Sequence, residues 1–186
     1  FNLLYNVIVN EGLTCVIVFT NRRDQARDLA EKLNIYDISA ALISGELSQS
    51  KRMKALEDLK KGRIAVLVAT DVAARGIHIE GISHVINYTL PQEAEHYVHR
   101  IGRKGRAGST GISISFADED LAYFLPDIEE FIGMKIPSTV PQDEDLCNDY
   151  KRGLPHKKSP VPDKKAGGKP RPPRRRRPGG NQGRNR

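Results

Sequence analysis

The chain has 186 residues, 38% of them hydrophobic and 28% charged, which is enough for one domain of ordinary size with its own core. Its net charge of +7 is unevenly distributed, because residues 151–186 hold fourteen Lys and Arg against one acid and carry +13, whereas residues 1–150 carry −6. Two cysteines far apart match neither a disulfide framework nor a zinc pattern, which favours a reducing cytoplasm, and no apolar run is long enough to span a bilayer. These features argue against a secreted disulfide scaffold, a zinc module and a membrane-spanning protein.

Short β-branched runs alternate with amphipathic stretches along residues 1–135, and the opening residues have the apolar spacing of a helix entered partway, as in a fragment. The predicted elements that follow are a strand at Cys15–Thr20, a helix at Arg22–Leu33, a strand at Ser39–Ile43, a helix at Gln49–Lys61, strands at Ile64–Thr70 and Ser83–Tyr88, a helix at Gln92–Ile101, a strand at Gly111–Phe116, and a helix at Glu119–Ile132 that Pro126 kinks. This alternation predicts an α/β fold, in which right-handed crossovers build a mostly parallel sheet with helices on both faces.

Polar residues follow several of the predicted strands. Asn21 and Arg22 come after the first strand, Gly45 after the second, and Thr70 with Asp71 after the third. Parallel sheets bind ligands beyond the carboxyl ends of their strands, so we expect these residues to share one functional edge. Each has a structural alternative, since Asp71 is also typical of a helix cap and Arg22 of a solvated first turn.

Residues 99–106, with the sequence His-Arg-Ile-Gly-Arg-Lys-Gly-Arg, concentrate four cations around two glycines where a predicted helix ends. The pair Arg103 and Arg106 suits the charge on a transferring phosphoryl group, because guanidinium is planar, permanently charged and donates two parallel hydrogen bonds. An exposed, solvated loop is the alternative, since Gly and Arg are both common in surface turns.

Four segments in order resemble motifs of the DEAD-box RNA helicases. Residues 16–21 resemble motif IV, Gly45 with Gln49 and Arg52 resemble motif IVa, residues 69–76 resemble motif V and residues 99–106 resemble motif VI. The resemblance covers residues 1–135 and matches only the carboxyl-terminal RecA-like domain of the family, a P-loop NTPase-type fold. The chain contains no Walker A sequence and no Asp-Glu-Ala-Asp run.

The resemblance implies ATP with Mg²⁺ as cofactor, the Mg²⁺ being held by a separate amino-terminal RecA-like domain, which is also a partner. Arg103 and Arg106 are then arginine fingers for the γ-phosphate, and His99 and Arg100 engage the partner domain. The residues implied at the nucleotide are Gly76, His78, Arg103 and Arg106. Three positions depart from the commonest pattern: His78 and Thr89 each replace a frequent Asp, and Lys104 replaces a frequent Thr.

The same resemblance implies a path for RNA along Arg22, Gly45, Gln49 and Thr70, where backbone amides and hydroxyls contact phosphates without selecting a base sequence. His78, residues 123–133 and the basic end of the chain are most similar to the bacterial RhlB branch of the family. That branch implies a role in RNA turnover and, in some bacteria, docking onto the endonuclease of the RNA degradosome.

Beyond residue 135 the alternating pattern ends. Residues 136–150 are predicted to form an extended acidic linker, and residues 151–186, with seven Pro, six Gly and no aromatic residue, a disordered basic tail. Its densest charge lies at Arg174, Arg175, Arg176 and Arg177, and without aromatic side chains its expected binding mode is attraction to RNA phosphates. A solubilising tail without a specific partner is the alternative.

The sequence therefore predicts the carboxyl-terminal half of a cytoplasmic ATP-dependent RNA helicase that unwinds short duplexes and is inactive without its other half. A non-catalytic RNA-binding or adaptor module that keeps the fold is the alternative. The residues of motifs V and VI disfavour a DNA helicase of the wider superfamily.

Overall fold

A computed structural model describes residues 1–75, 81–103 and 111–146. Its helices are α1 (Asn2–Asn10), α2 (Arg23–Ile35), α3 (Gln49–Lys60), α4 (Asp71–Ala74), α5 (Ala94–Ile101) and α6 (Leu125–Ile132), and its strands are β1 (Val16–Phe19), β2 (Ala40–Ile43), β3 (Val66–Ala69), β4 (His84–Asn87) and β5 (Ile112–Ser115). The strands form one parallel sheet in the order β2-β3-β1-β4-β5. The predicted α/β fold is confirmed.

The sheet carries a core on each face because successive side chains of a strand point to opposite sides. Val16 and Val18 of β1 pack with residues of α1 and α2, whereas Ile17 and Phe19 pack on the other face with residues of α3 and α4. All four residues of β1 and of β3 are buried, as expected for central strands of a covered parallel sheet. This rigid centre fixes the positions of the loops that follow β1, β3 and β4.

A third, smaller cluster joins α5 to α6. Tyr97 of α5, Ile128 of α6 and Leu90, which follows β4, are buried together at one end of the sheet. The cluster holds α5 across the carboxyl end of β4. Its apolar contacts therefore set the position of the helix that ends at residues 99–103.

Two predictions at the carboxyl-terminal side of the domain were wrong. Pro126 does not kink a helix from Glu119; it lies in the first turn of α6, where a missing N–H costs no helical hydrogen bond, and a 3-10 turn at Ala122–Phe124 precedes it. The acidic linker is not extended throughout, because Asp143–Leu146 form another 3-10 turn.

This acidic turn packs against α1. The side-chain amide of Asn2 donates to the carbonyl of Leu146 at 3.2 Å, and that of Asn6 donates to the carbonyl of Asp145 at 2.6 Å. Two amide donors on one helix face thus satisfy the carbonyls of the turn. Within the part of the chain that the structure describes, no helix is long and apolar enough to span a membrane.

Candidate functional site

The carboxyl ends of β1, β3 and β4 bring polar residues together at one edge of the sheet, as the sequence analysis expects. Asn21 follows β1, Thr70 and Asp71 follow β3, and Asn87 ends β4. Helix α5 ends at the same edge and directs Arg100 into it. The edge is thus built from three strand ends and one helix end.

The guanidinium of Arg100 is the centre of this edge. Its Nε and Nη2 donate to the two carboxylate oxygens of Asp71, both at 2.7 Å. Nη2 also donates to Oδ1 of Asn21 at 2.7 Å, and Nη1 donates to the carbonyl of Thr89 at 2.7 Å and to Oδ1 of Asn87 at 3.3 Å. The five N–H groups of the side chain therefore all have acceptors inside the domain.

Burial makes these contacts strong. The Arg100 side chain is 1% exposed, and its guanidinium carbon lies 5.3 Å from the centre of the Phe19 ring, within cation–π range. Asp71 supplies the one carboxylate that pairs with it among the residues described. A buried, fully bonded guanidinium cannot also reach across a cleft, so the structure gives Arg100 an intradomain role in place of the interdomain contact implied by the resemblance.

Asn21 is held on both sides. Its backbone N–H donates to Oγ1 of Thr89 at 2.9 Å. Its side-chain Nδ2 donates to the carbonyl of Leu90 at 2.8 Å, and its side-chain Oδ1 accepts from Arg100. The loop after β1 is therefore tied to the end of β4 by side chains as well as by the sheet. Thr89, which departs from the common family pattern, supplies an acceptor here through its hydroxyl.

Two clefts open on this edge. The first, which we call the His99 cleft, has a volume of about 260 Å³ and is lined by Phe19, Asp71, Ala74, Arg75, His96, His99, Arg100 and Arg103. Asp71 is committed to Arg100, which leaves two further guanidinium groups and two imidazoles lining the cleft. This donor set fits an anion with several oxygens, such as the end of a triphosphate.

The second, which we call the Thr70 cleft, has a volume of about 440 Å³ and is lined by Asn21, Arg22, Arg23, Thr70, Asp71, Val72, Pro91, Gln92, Glu93 and His96. Arg22 is exposed here and bonds Asp24, which lowers the pKa of that carboxyl group. Hydroxyl, amide and guanidinium donors without a deep apolar pocket are typical of backbone contacts to a nucleic acid.

Gly45 and Gln49 lie elsewhere on the same edge. Both are exposed, in the connection from β2 to α3, and neither lines the Thr70 cleft. Arg52 donates to the carbonyls of Ser44 and Gly45 at 3.3 and 3.2 Å, so this side chain of the motif IVa segment holds the turn. The turn has no positive φ at Gly45 and leaves open space where a Cβ would point.

Several predicted site residues lie outside the described ranges: Gly76, His78, Arg106 and Arg174 to Arg177. The sequence analysis also missed three residues of the edge. Arg75 and His96 line the His99 cleft, with Nη2 of Arg75 3.4 Å from Nε2 of His96, and Asn87 bonds Arg100. For Asn87 the sequence does carry a signal, an amide at the end of the otherwise apolar run at 85–87, which the sequence analysis did not use.

Comparison with known proteins places this edge in a family context. Residues 1–108 match the family model described as helicase conserved C-terminal domain. The ATP-dependent RNA helicase RhlB of Pseudomonas syringae is 55% identical over 141 residues, which cover 76% of this chain and 36% of that protein. The chain thus spans about a third of the length of this relative.

Solved structures give the same result for the fold. The Escherichia coli DEAD-box protein SrmB, bound to the regulator of ribonuclease activity A, superposes with a TM-score of 0.72 at 39% identity, covering 77% of this chain and 84% of that chain. Saccharomyces cerevisiae Dbp5 bound to RNA and ADP BeF3 superposes with a TM-score of 0.62 at 32% identity, covering 73% of this chain and 37% of that one.

Proposed function

The chain belongs to the helicase conserved C-terminal domain family and is a DEAD-box, RhlB-like member of it, and from this premise we propose that it forms the carboxyl-terminal lobe of an ATP-dependent RNA helicase that unwinds short duplexes. The observation that carries the proposal is the His99 cleft, where cationic side chains face solvent beside a carboxylate that is already neutralised. Such a surface suits a triphosphate whose remaining contacts come from another lobe.

In this proposal Arg103 and Arg106 are the arginine fingers, and His99 contacts the amino-terminal RecA-like domain. Arg103 and His99 line the same cleft, which supports a position for both where the nucleotide and the amino-terminal domain meet this chain. We assign Mg²⁺ to the amino-terminal domain, as the family resemblance implies. Bound ATP supplies the γ-phosphate; this chain supplies donors that stabilise its charge during transfer.

RNA runs along the neighbouring surface in the proposal, past Arg22, Gln49 and Thr70 and past the main chain at Gly45. The cationic Arg22 and Arg23 in the Thr70 cleft support this path, because phosphate contacts need positive charge and hydroxyl or amide donors. The basic tail adds sequence-independent attraction, with Arg174 to Arg177 as its densest charge. Together these features give affinity without base selectivity.

We further propose a role in RNA turnover in the cytoplasm, with a degradosome endonuclease as a partner. The RhlB-like character of the chain supports this setting.

The test measures ATP hydrolysis by this chain alone and by the complete protein that joins it to the amino-terminal domain. We expect little turnover from the chain alone and RNA-stimulated turnover from the complete protein. Changing Arg103 or Arg106 to Ala should lower kcat by about 10³-fold, the scale of a lost arginine finger, with RNA affinity nearly unchanged. Arg63→Ala, at the opposite end of the sheet, is the matched control.

Two outcomes would contradict the proposal. A complete protein that binds RNA without hydrolysing ATP would favour the adaptor alternative. A double variant at Arg103 and Arg106 that keeps the parent kcat would remove the role of the fingers.

The tail is tested by deleting residues 151–186 and measuring RNA affinity against salt concentration. The deletion should weaken binding most at low salt and flatten the dependence of log K on log salt, because fewer counterions are released. An unchanged slope would leave the tail as a solubilising segment.

A further inference from the structure

The two clefts share a wall. Asp71 and His96 line both the His99 cleft and the Thr70 cleft, and Asp71 is fixed in place by two hydrogen bonds from Arg100. A displacement of the Asp71–Arg100 pair would therefore change the shape of both clefts at once. The other shared residue, His96, pairs with Glu93, which lines the Thr70 cleft.

Arg100 also fixes the segments on either side of the wall. Through Asn21 it holds the loop that carries Arg22, through Asp71 it holds the start of α4 beside Thr70, and it lies three residues before Arg103 on the same helix end. Guanidinium is planar and rigid, so five simultaneous bonds define the position of each acceptor relative to the others.

Stability alone is a poor reason for this arrangement. A buried ion pair often contributes less to stability than well-packed apolar side chains of the same volume. The cluster instead defines geometry, because moving any one of three loops breaks bonds to the buried cation, and an unpaired buried charge is costly.

We propose that Arg100 is a positioning residue that couples the RNA-facing Thr70 cleft to the phosphate-facing His99 cleft. The inference rests on the proposed function and adds to it the element that transmits RNA binding to ATP hydrolysis. Arg100 acts through Asp71 and Asn21. Asp71 forms part of the wall that the two clefts share, and Asn21 connects Arg100 to the loop proposed to contact RNA.

The first experiment uses the complete protein with Arg100→Lys, which keeps the charge but removes the planar fork. We expect RNA-stimulated kcat to fall about 10²-fold, the scale of a misplacement near 1 Å, while KM for ATP stays within about twofold. Asn21→Ala should raise the RNA concentration needed for half-maximal stimulation, because it releases the loop that carries Arg22.

Matched controls separate positioning from loss of stability. Arg63→Lys makes the same substitution in an exposed ion pair at the other end of the sheet and should leave kcat unchanged. Leu59→Ala opens a cavity in the core under α3 and should lower the melting temperature without lowering the ratio of stimulated to unstimulated turnover. If Leu59→Ala lowers that ratio as much as Arg100→Lys does, the coupling role is refuted.

A second readout does not depend on activity. Amide hydrogen exchange in the Arg100→Lys protein should accelerate together at residues 20–23, 70–75 and 99–103, because one node holds all three segments. Acceleration at 99–103 alone would overturn the inference. Absence of RNA-stimulated turnover in the parent protein would count against the proposed function instead, and the exchange pattern would still decide the coupling.

Discussion

The two ends of the parallel sheet use the same chemical pair in opposite environments. At the carboxyl end Arg100 bonds Asp71 with side chains 1% and 19% exposed, whereas at the amino end Arg63 bonds Asp58 with side chains 40% and 22% exposed. The first pair has three further acceptors around the guanidinium, and the second bridges a helix end and the loop that follows it. The arginine–aspartate pair at the carboxyl end of the sheet thus holds several loops in place, whereas the pair at the amino end is an exposed surface contact.

The difference shows how burial decides the value of a charge. Water screens the Arg63 pair and would solvate either partner if the other were lost. The Arg100 side chain is only 1% exposed, so each bond is stronger and each broken bond leaves a charge or a donor unsatisfied. The following predictions test this contrast in order of decreasing effect.

The largest effect is expected for Asp71→Ala, which leaves the buried guanidinium without its carboxylate. The free energy of unfolding should fall by about 3–5 kcal/mol, the cost of an uncompensated buried charge. Urea unfolding followed by circular dichroism measures it. The double variant Asp71→Leu with Arg100→Met should recover much of the loss, and a single variant losing under about 1 kcal/mol would show that the pair is hydrated.

A smaller effect is expected for Asn21→Ala. The change removes one acceptor of Arg100 and the donor to the Leu90 carbonyl, and it should cost about 1–3 kcal/mol because Arg100 and Leu90 are buried residues that each lose a partner. Unfolding in urea again gives the value. Asn34→Ala, which removes amide hydrogen bonds at the exposed end of α2, is the control and should cost less.

Arg63→Ala should change stability by only about 0.2–1 kcal/mol, as is usual for an exposed ion pair. Raising the salt concentration should reduce this difference further, whereas the cost of Asp71→Ala should hardly depend on salt. A strong salt dependence at Asp71 would contradict the burial on which the comparison rests.

The last prediction concerns Glu129, whose carboxylate accepts from Lys135 and from the backbone N–H of Ile136. The Lys135 bond is the larger cause that holds the pKa of Glu129 below its usual 4.5, followed by the Ile136 bond. The ionised form is favoured by folding, so its contribution is present above pH 4.5 and is lost as the pH falls through the lower pKa of the folded protein.

The measurement compares melting temperatures of the parent and Glu129→Gln at pH 7 and at pH 3. The parent should be the more stable at pH 7, and the gap should narrow at pH 3. A gap that stays constant would mean that the carboxylate gains nothing from its partners.

The sequence predicts the sheet well because the strands carry a strong local signal. The apolar run Val66–Ala69 and its counterparts fall within two residues of their predicted bounds, and the alternation with helices determines the parallel order of connections. Pro126 was misjudged because the same residue either breaks a helix or begins one, and only the position of the first turn separates the two cases.

The interior of the site was less predictable. Four cations lie within residues 100–106, and their spacing alone does not reveal which of them turns inward. Arg100 turns inward because α5 is held by Tyr97 against Leu90 and Ile128, a tertiary contact that local sequence does not encode. The polar groups that receive it come from positions 21, 71, 87 and 89, so their convergence depends on the completed sheet.

The strand order also constrains synthesis on the ribosome. The central strand β1 is made before both of its neighbours, because β3 and β4 begin about fifty and seventy residues later at Val66 and His84. Its Val-Ile-Val-Phe run therefore emerges with both hydrogen-bonding edges unpaired, and this apolar strand gains its first partner only when β3 has been synthesised.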